Sequence, residues 1–112
     1  MEYILRNGGA SIVNFEMSEE DVREAMTLSW VATASDGSSK RSGLGLPHSR
    51  SDGTFPRKIG RYAIRGQVIS LEAAIASSTG MPARILGLND RGLLKVGLAA
   101  DVVIFNPGNI HR

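Results

Sequence analysis

The feature that most limits the possible folds is the order of three apolar segments in the first third of the chain. Residues 10–15 (Ala-Ser-Ile-Val-Asn-Phe) are a short run with β-branched members after Gly8 and Gly9, the pattern of a buried strand. A helix signal follows at once. Ser18 is a good N-cap, Asp21 stands three residues on, Met17 and Val22 are spaced as a hydrophobic staple, and Glu19 and Glu20 suit the positive end of a helix dipole. Val22, Ala25 and Met26 share one face, so this helix is expected to pack by a single stripe and to run to about Ser29. Residues 30–35 (Trp-Val-Ala-Thr-Ala-Ser) then read as a second apolar strand, ended by Asp36 and Gly37. Strand, helix and strand in this order predict a βαβ unit with parallel strands, hence an α/β class.

The next segment is of a different kind. From residue 38 to 56 no hydrophobic period exists, and Ser, Gly, Pro and basic residues dominate, which predicts a long loop. Seven of the 13 Lys and Arg residues fall within residues 40–65, with Asp52 the only acid among them. Only Phe55 and Tyr62 interleave with these cations, and no helix-turn-helix, zinc-finger or RNA-binding signature surrounds them, so no nucleic-acid partner is expected. A solvated face and a site for an anion or carboxylate are the two readings left.

Further on, residues 57–65 have a helical pattern with Ile59, Tyr62 and Ala63 on one side, interrupted by Gly60. Ser70 is the N-cap of a clearer helix that carries Leu71, Ala74 and Ile75 and stops at Gly80. Pro82 suits the first turn of another short helix, closed by Gly87. Residues 92–97 and 101–105 read as two strands joined by a short turn. The chain has no cysteine, which excludes disulfides and thiolate metal sites, and no apolar run of membrane-spanning length, so no membrane partner and a cytoplasmic location are expected.

Several separated stretches, in order, resemble the amidohydrolase superfamily and, within it, the N-acyl-D-amino-acid deacylases (D-aminoacylases). Residues 17–22 (Met-Ser-Glu-Glu-Asp-Val) are similar to the segment before the family's last barrel strand, and residues 30–37 to that strand with its terminal Ser-Asp-Gly. Residues 53–57 (Gly-Thr-Phe-Pro-Arg) with Gly60, Arg61 and Tyr62 resemble a stretch of the deacylase branch. Residues 71–75, Thr79, residues 82–84, Gly87, Leu88, residues 90–92, Gly97 and residues 100–105 resemble the tail shared by many amidohydrolases.

The resemblance covers roughly residues 8–107 and implies the C-terminal part of a (β/α)8 metal-dependent hydrolase barrel, followed by a final β-hairpin of a small β domain. Residues 1–87 would then be the end of the barrel, with the basic loop at about 38–56, and residues 88–112 the return strands. The implied activity of the full-length family is hydrolysis of a small-molecule N-acyl-D-amino acid to a D-amino acid and a carboxylate, with zinc as cofactor. A stand-alone interaction or structural domain from a truncated gene is the alternative, as is another amidohydrolase specificity of the dihydropyrimidinase or dihydroorotase kind.

Asp36 is the foremost candidate. The resemblance implies that it binds the catalytic metal and takes the proton from the attacking water, chemistry that needs a carboxylate beside an acidified water. From the residues alone, Asp-Gly is also a common turn pair. A catalytic zinc usually takes three protein ligands with His prominent, yet only His48 and His111 exist here, so this chain alone is expected to hold no stable zinc and to be inactive. Arg57 and Arg50 are candidates to grip the substrate's free carboxylate through paired hydrogen bonds, against a reading as solvated arginines. His48 either faces the same substrate or is an exposed loop histidine; His48-Ser49-Arg50 stands where the family more often has His-Pro-Arg. A barrel segment would expose strand edges and apolar helix faces, through which it is expected to oligomerise.

Overall fold

The computed structural model describes Arg6, Asn14 and residues 16–39 and 48–110. Among these the regular elements are helical: α1 (Glu19–Thr27), α2 (Arg50–Arg57), a π-helix (Lys58–Arg65), α3 (Leu71–Ala76), α4 (Gly80–Ile85) and a 3-10 turn (Pro107–Asn109).

Local chemistry explains most boundaries. Ser18 caps α1, its side chain accepting from the backbone N–H groups of Glu20 and Asp21, and Glu19, Glu20 and Asp21 occupy the first turn. Ser70 caps α3 in the same way, its hydroxyl accepting from Ala73 N at 3.1 Å. At the end of α4, Gly87 takes a φ of +69°, which a residue with a Cβ adopts only under strain. Gly87 N then donates to Arg84 O and Leu88 N to Ala83 O, so two of the helix's last carbonyls are satisfied by a Schellman motif.

The loop expected at 38–56 is overtaken by α2 from Arg50 onward, while residues 40–47 lie outside the described residues. Ser-Asp-Gly-Thr-Phe-Pro reads as turn sequence, but the helix is closed by local side chains: His48 Nδ1 accepts from Arg50 N at 3.1 Å, and Thr54 Oγ1 donates to Arg50 O at 2.8 Å. Pro56 has no N–H to give the helix, and directly beyond it the backbone widens into the π-helix, which Gly66 N closes onto Arg61 O at 2.8 Å.

The predicted α/β architecture is overturned. No strand forms among the described residues, neither the last barrel strands nor the closing β-hairpin. Of the first predicted strand, residues 10–15, only Asn14 is described. Residues 31–39 form no ladder: Val31 N bonds back to Leu28 O and Thr33 N to Ser77 O. The pair at 92–97 and 101–105 does not form, and its first member is bent at both ends. Gly92 and Gly97 sit at φ +88° and +90°, Leu98 N bonds to Lys95 O, and Ala99 N to Asp90 O. A strand closes its backbone bonds only on a neighbour, whereas each helix closes its own.

The buried residues come from the π-helix, α3 and α4, and α2 contributes none. Tyr62 is 3% exposed and Ala74 0%, with Ala63 and Ala83 beside them in the buried set. By contrast Val96 is 100% and Ile104 94% exposed. Arg91 pairs with Asp90 at 3.0 Å and Asp101 at 3.3 Å at the surface, Arg65 donates to Ile110 O at 2.8 Å, and Gly92 lies close against Gly80 and Ala83. Among the described residues no helix is long and apolar enough to cross a membrane.

Candidate functional site

α1, the residues just before it, Thr33, α2 and the start of the π-helix line a cleft of about 680 Å³. Val22 and Met26 of α1 line it together with the polar residues Thr33, His48, Arg57 and Tyr62. The apolar stripe expected on α1 is thus partly used here: Val22 and Met26 are half-buried, but Ala25 is exposed.

Asp36 does not itself line this cleft; its side chain is 87% exposed and its φ is 49°, a left-handed conformation that Asp tolerates better than most residues. Its position follows from the next residue. A Cβ on Gly37 would meet Ser51 Cα at 2.7 Å, so only glycine lets the segment lie this close to the first turn of α2. Gly37 N also donates to Ser35 Oγ at 3.1 Å. Asp36 Oδ2 consequently meets Arg50 Nη2 at 3.2 Å.

This pairing changes the reading of the arginines. Arg50 is occupied by Asp36 rather than left for a ligand. Arg23 and Arg61 both reach Glu19 Oε1 at 3.2 Å, and the Tyr62 hydroxyl donates to Glu19 Oε2 at 3.1 Å. Desolvation works to raise the Glu19 pKa, but Tyr62, Arg61 and Arg23 together outweigh it and hold the carboxyl below its ordinary value. Arg57 has no carboxylate within ion-pair distance among the described residues. Its guanidinium lies 5.9 Å from the centroid of the Tyr62 ring, with Arg23 at 6.0 Å and Arg61 at 5.5 Å around the same ring. Among the described residues the Arg57 fork thus meets an aromatic face and no carboxylate.

His48 lines the cleft, but its Nδ1 is committed to Arg50 N. Of the four residues expected from sequence, Asp36, Arg50 and His48 form one connected group, and Arg57 stands apart on Tyr62.

Sequence reasoning missed two contributors. Glu19 was read as a dipole partner only, whereas it joins α1 to the π-helix. Lys58, also in the cleft wall, is 2% exposed and donates to Ser77 Oγ at 2.6 Å, Ser78 Oγ at 3.4 Å and Thr33 Oγ1. Burial pushes its pKa below the ordinary lysine value. The available signal was a lysine four residues before the buried Tyr62, on the same helical face, with a Ser-Ser-Thr run at 77–79 able to receive it.

No three His, Cys, Asp or Glu side chains converge among the described residues. Asp36 is engaged by Arg50 and His48 by the backbone, so these residues do not fit a metal centre held by them alone, and no chemical step is derived through one.

Comparison with known proteins gives a consistent picture. The profile of the amidohydrolase family, whose members are generally metal-dependent, matches residues 17–112. An N-acyl-D-glutamate deacylase of Alcaligenes xylosoxydans xylosoxydans is 40% identical over 101 residues, 90% of this chain and 20% of the relative. A D-aminoacylase of the same organism is 37% identical over 90% of this chain and 20% of its own length. An N-acyl-D-aspartate deacylase, also from that organism, is 35% identical over 96% of this chain and 21% of its own length. The chain thus spans about a fifth of the length of these curated relatives. No solved structure matches it with significance. With the profile covering most of its residues, this chain belongs to the amidohydrolase family.

Proposed function

We propose that this chain supplies the proton-accepting carboxylate and part of the substrate grip of a hydrolase that removes the acyl group from N-acyl-D-amino acids. The observation that carries the reading is the identity of 35–40% with three deacylases over nine-tenths of the chain or more, which favours this specificity over a dihydropyrimidinase or dihydroorotase type.

Asp36 takes the proton of the water that attacks the amide carbonyl, and Arg50 holds the carboxylate in place for this task. Arg57 receives the substrate's free carboxylate, the role its unpaired guanidinium supports best. His48 serves mainly by capping α2, so that Arg50 is correctly placed, while its ring borders the substrate space. A zinc ion in the complete site would polarise the carbonyl and acidify the water. In the longer protein Asp36 would be the ligand this chain offers such an ion, since no three His, Cys, Asp or Glu side chains converge among the described residues.

The test is release of D-glutamate from N-acetyl-D-glutamate by the purified chain, with and without added zinc, beside Asp36→Ala. The chain alone is expected to be inactive and to retain no stoichiometric metal. Zinc-dependent hydrolysis abolished by Asp36→Ala would keep the catalytic role but show that the chain completes a site, for instance between two copies. Hydrolysis unaffected by Asp36→Ala would remove Asp36 from the chemistry.

A further inference from the structure

Residues 31–39 have no regular structure, yet they carry Asp36, so something other than a ladder must fix them. Two backbone bonds hold the segment, Val31 N to Leu28 O at 3.1 Å and Thr33 N to Ser77 O at 2.9 Å. Besides these bonds and the close approach of Gly37 to Ser51, the segment is anchored by the side chain of Thr33, which accepts from Lys58 Nζ.

The surroundings of that amine are selective. Three N–H donors of an ammonium meet three hydroxyl oxygens, those of Thr33, Ser77 and Ser78. Two of these hydroxyls have already committed their own hydrogens to the end of α3: Ser77 Oγ donates to Ala73 O at 2.6 Å and Ser78 Oγ to Ala74 O at 2.7 Å. Their lone pairs can therefore only receive, and a donor must stand opposite them. The last carbonyls of α3, the negative end of its dipole, lie behind the same hydroxyls and favour a cation there. No carboxylate reaches Lys58 within ion-pair distance among the described residues, so the amine is not one half of an ion pair.

We propose that Lys58 is a positioning residue: its amine pins Thr33 to the end of α3 and so fixes the segment that presents Asp36. The proposal rests on the reading of Asp36 given above for its functional meaning, though not for its geometry. Thr33 is held twice to one serine, through its own N–H to Ser77 O and through Lys58 to Ser77 Oγ. Asp36 meets Arg50 in a surface ion pair at 3.2 Å, so the interior anchor of this short stretch is at its Thr33 end. An apolar side chain at position 58 would fill the space and leave three hydroxyl oxygens without their donor.

Hydrogen exchange at the Thr33 amide reads the anchor directly. In Lys58→Met this amide is expected to exchange at least about tenfold faster, while the amide of Leu88, in the α4 cap, keeps its native rate. The chain has no cysteine, so Lys58→Cys can be alkylated at a single site with 2-bromoethylamine in denaturant and refolded, which restores an amine at the lysine's reach. That product is expected to return the Thr33 rate to within about twofold of native. A native rate in Lys58→Met, or no rescue by the amine, would overturn the proposal. Where Lys58→Met unfolds as a whole, Thr33→Val decides, because it removes only the acceptor: faster exchange at residue 33 supports the anchor, and an unchanged rate overturns it. Asp36→Ala separates the two ideas. A native Thr33 rate in that variant, together with undiminished hydrolysis in any assembly that turns over, would refute the catalytic role of Asp36 and leave the anchor standing.

Discussion

Two apolar regions of this chain meet opposite fates. The π-helix and α3 bury Tyr62 and Ala74 almost completely, whereas residues 92–106 are as apolar in sequence and leave Val96 and Ile104 in solvent. The difference is in the backbone. A helix satisfies its own N–H and C=O groups and needs only a face to pack, while an extended segment must find a partner for both. Arg91 pairs with two aspartates at the surface there, and such pairs supply no ladder.

The sharpest way to break this contrast is to overfill the packed region. Ala74→Leu is expected to cost about 1–3 kcal/mol, because its site at 0% exposure has no room for three further carbons. Urea unfolding followed by circular dichroism measures it, and a neutral outcome would mean that the centre is loosely packed. Next in size is the loss of a cap. Ser70→Ala is expected to cost about 1 kcal/mol, as the Ala73 N–H loses its partner, and the same unfolding curve reads it.

The tie between α1 and the π-helix should depend on pH. Glu19 is held below its ordinary value of 4.5 in the folded chain, so its contribution is fully present above that value and is lost as the pH falls through the lowered folded value. Amide spectra of α1 recorded during an acid titration should show release in that window, and Glu19→Gln should abolish the transition. The smallest effect belongs to the exposed stretch. Ile104→Thr is expected to change stability by no more than about 0.5 kcal/mol, and a larger loss would show that this residue packs against something in solution.

What the sequence makes legible follows the same division. The Ser18 and Ser70 caps and the Gly87 stop are local signals, decided within a few residues, and each is found where the sequence places it. The strands expected at 30–35, 92–97 and 101–105 rest on apolar runs and on the family resemblance, and neither says whether a partner strand is available within this chain. α2 was hidden by Gly53 and Pro56, residues that usually break helices, because the capping by His48 depends on a side-chain geometry that composition does not reveal.

The candidate site divides likewise. Asp36, Arg50, His48 and Arg57 were each visible as residue types, but their pairing was not, and pairing is what separates Arg50 from Arg57. Lys58 and Glu19 escaped notice because their partners lie many positions away, at Ser77 and Tyr62.

The central claim is that Arg57, in the cleft beside Tyr62, grips the carboxylate of an N-acyl-D-amino acid. A titration of the isotope-labelled chain with N-acetyl-D-glutamate, followed through backbone amide and arginine Nε signals, tests it most directly. The account predicts saturable shifts at Arg57, Thr54 and Tyr62 that disappear in Arg57→Gln, whereas shifts confined to exposed cations such as Arg84 and Lys95, or unaltered by that substitution, would contradict it.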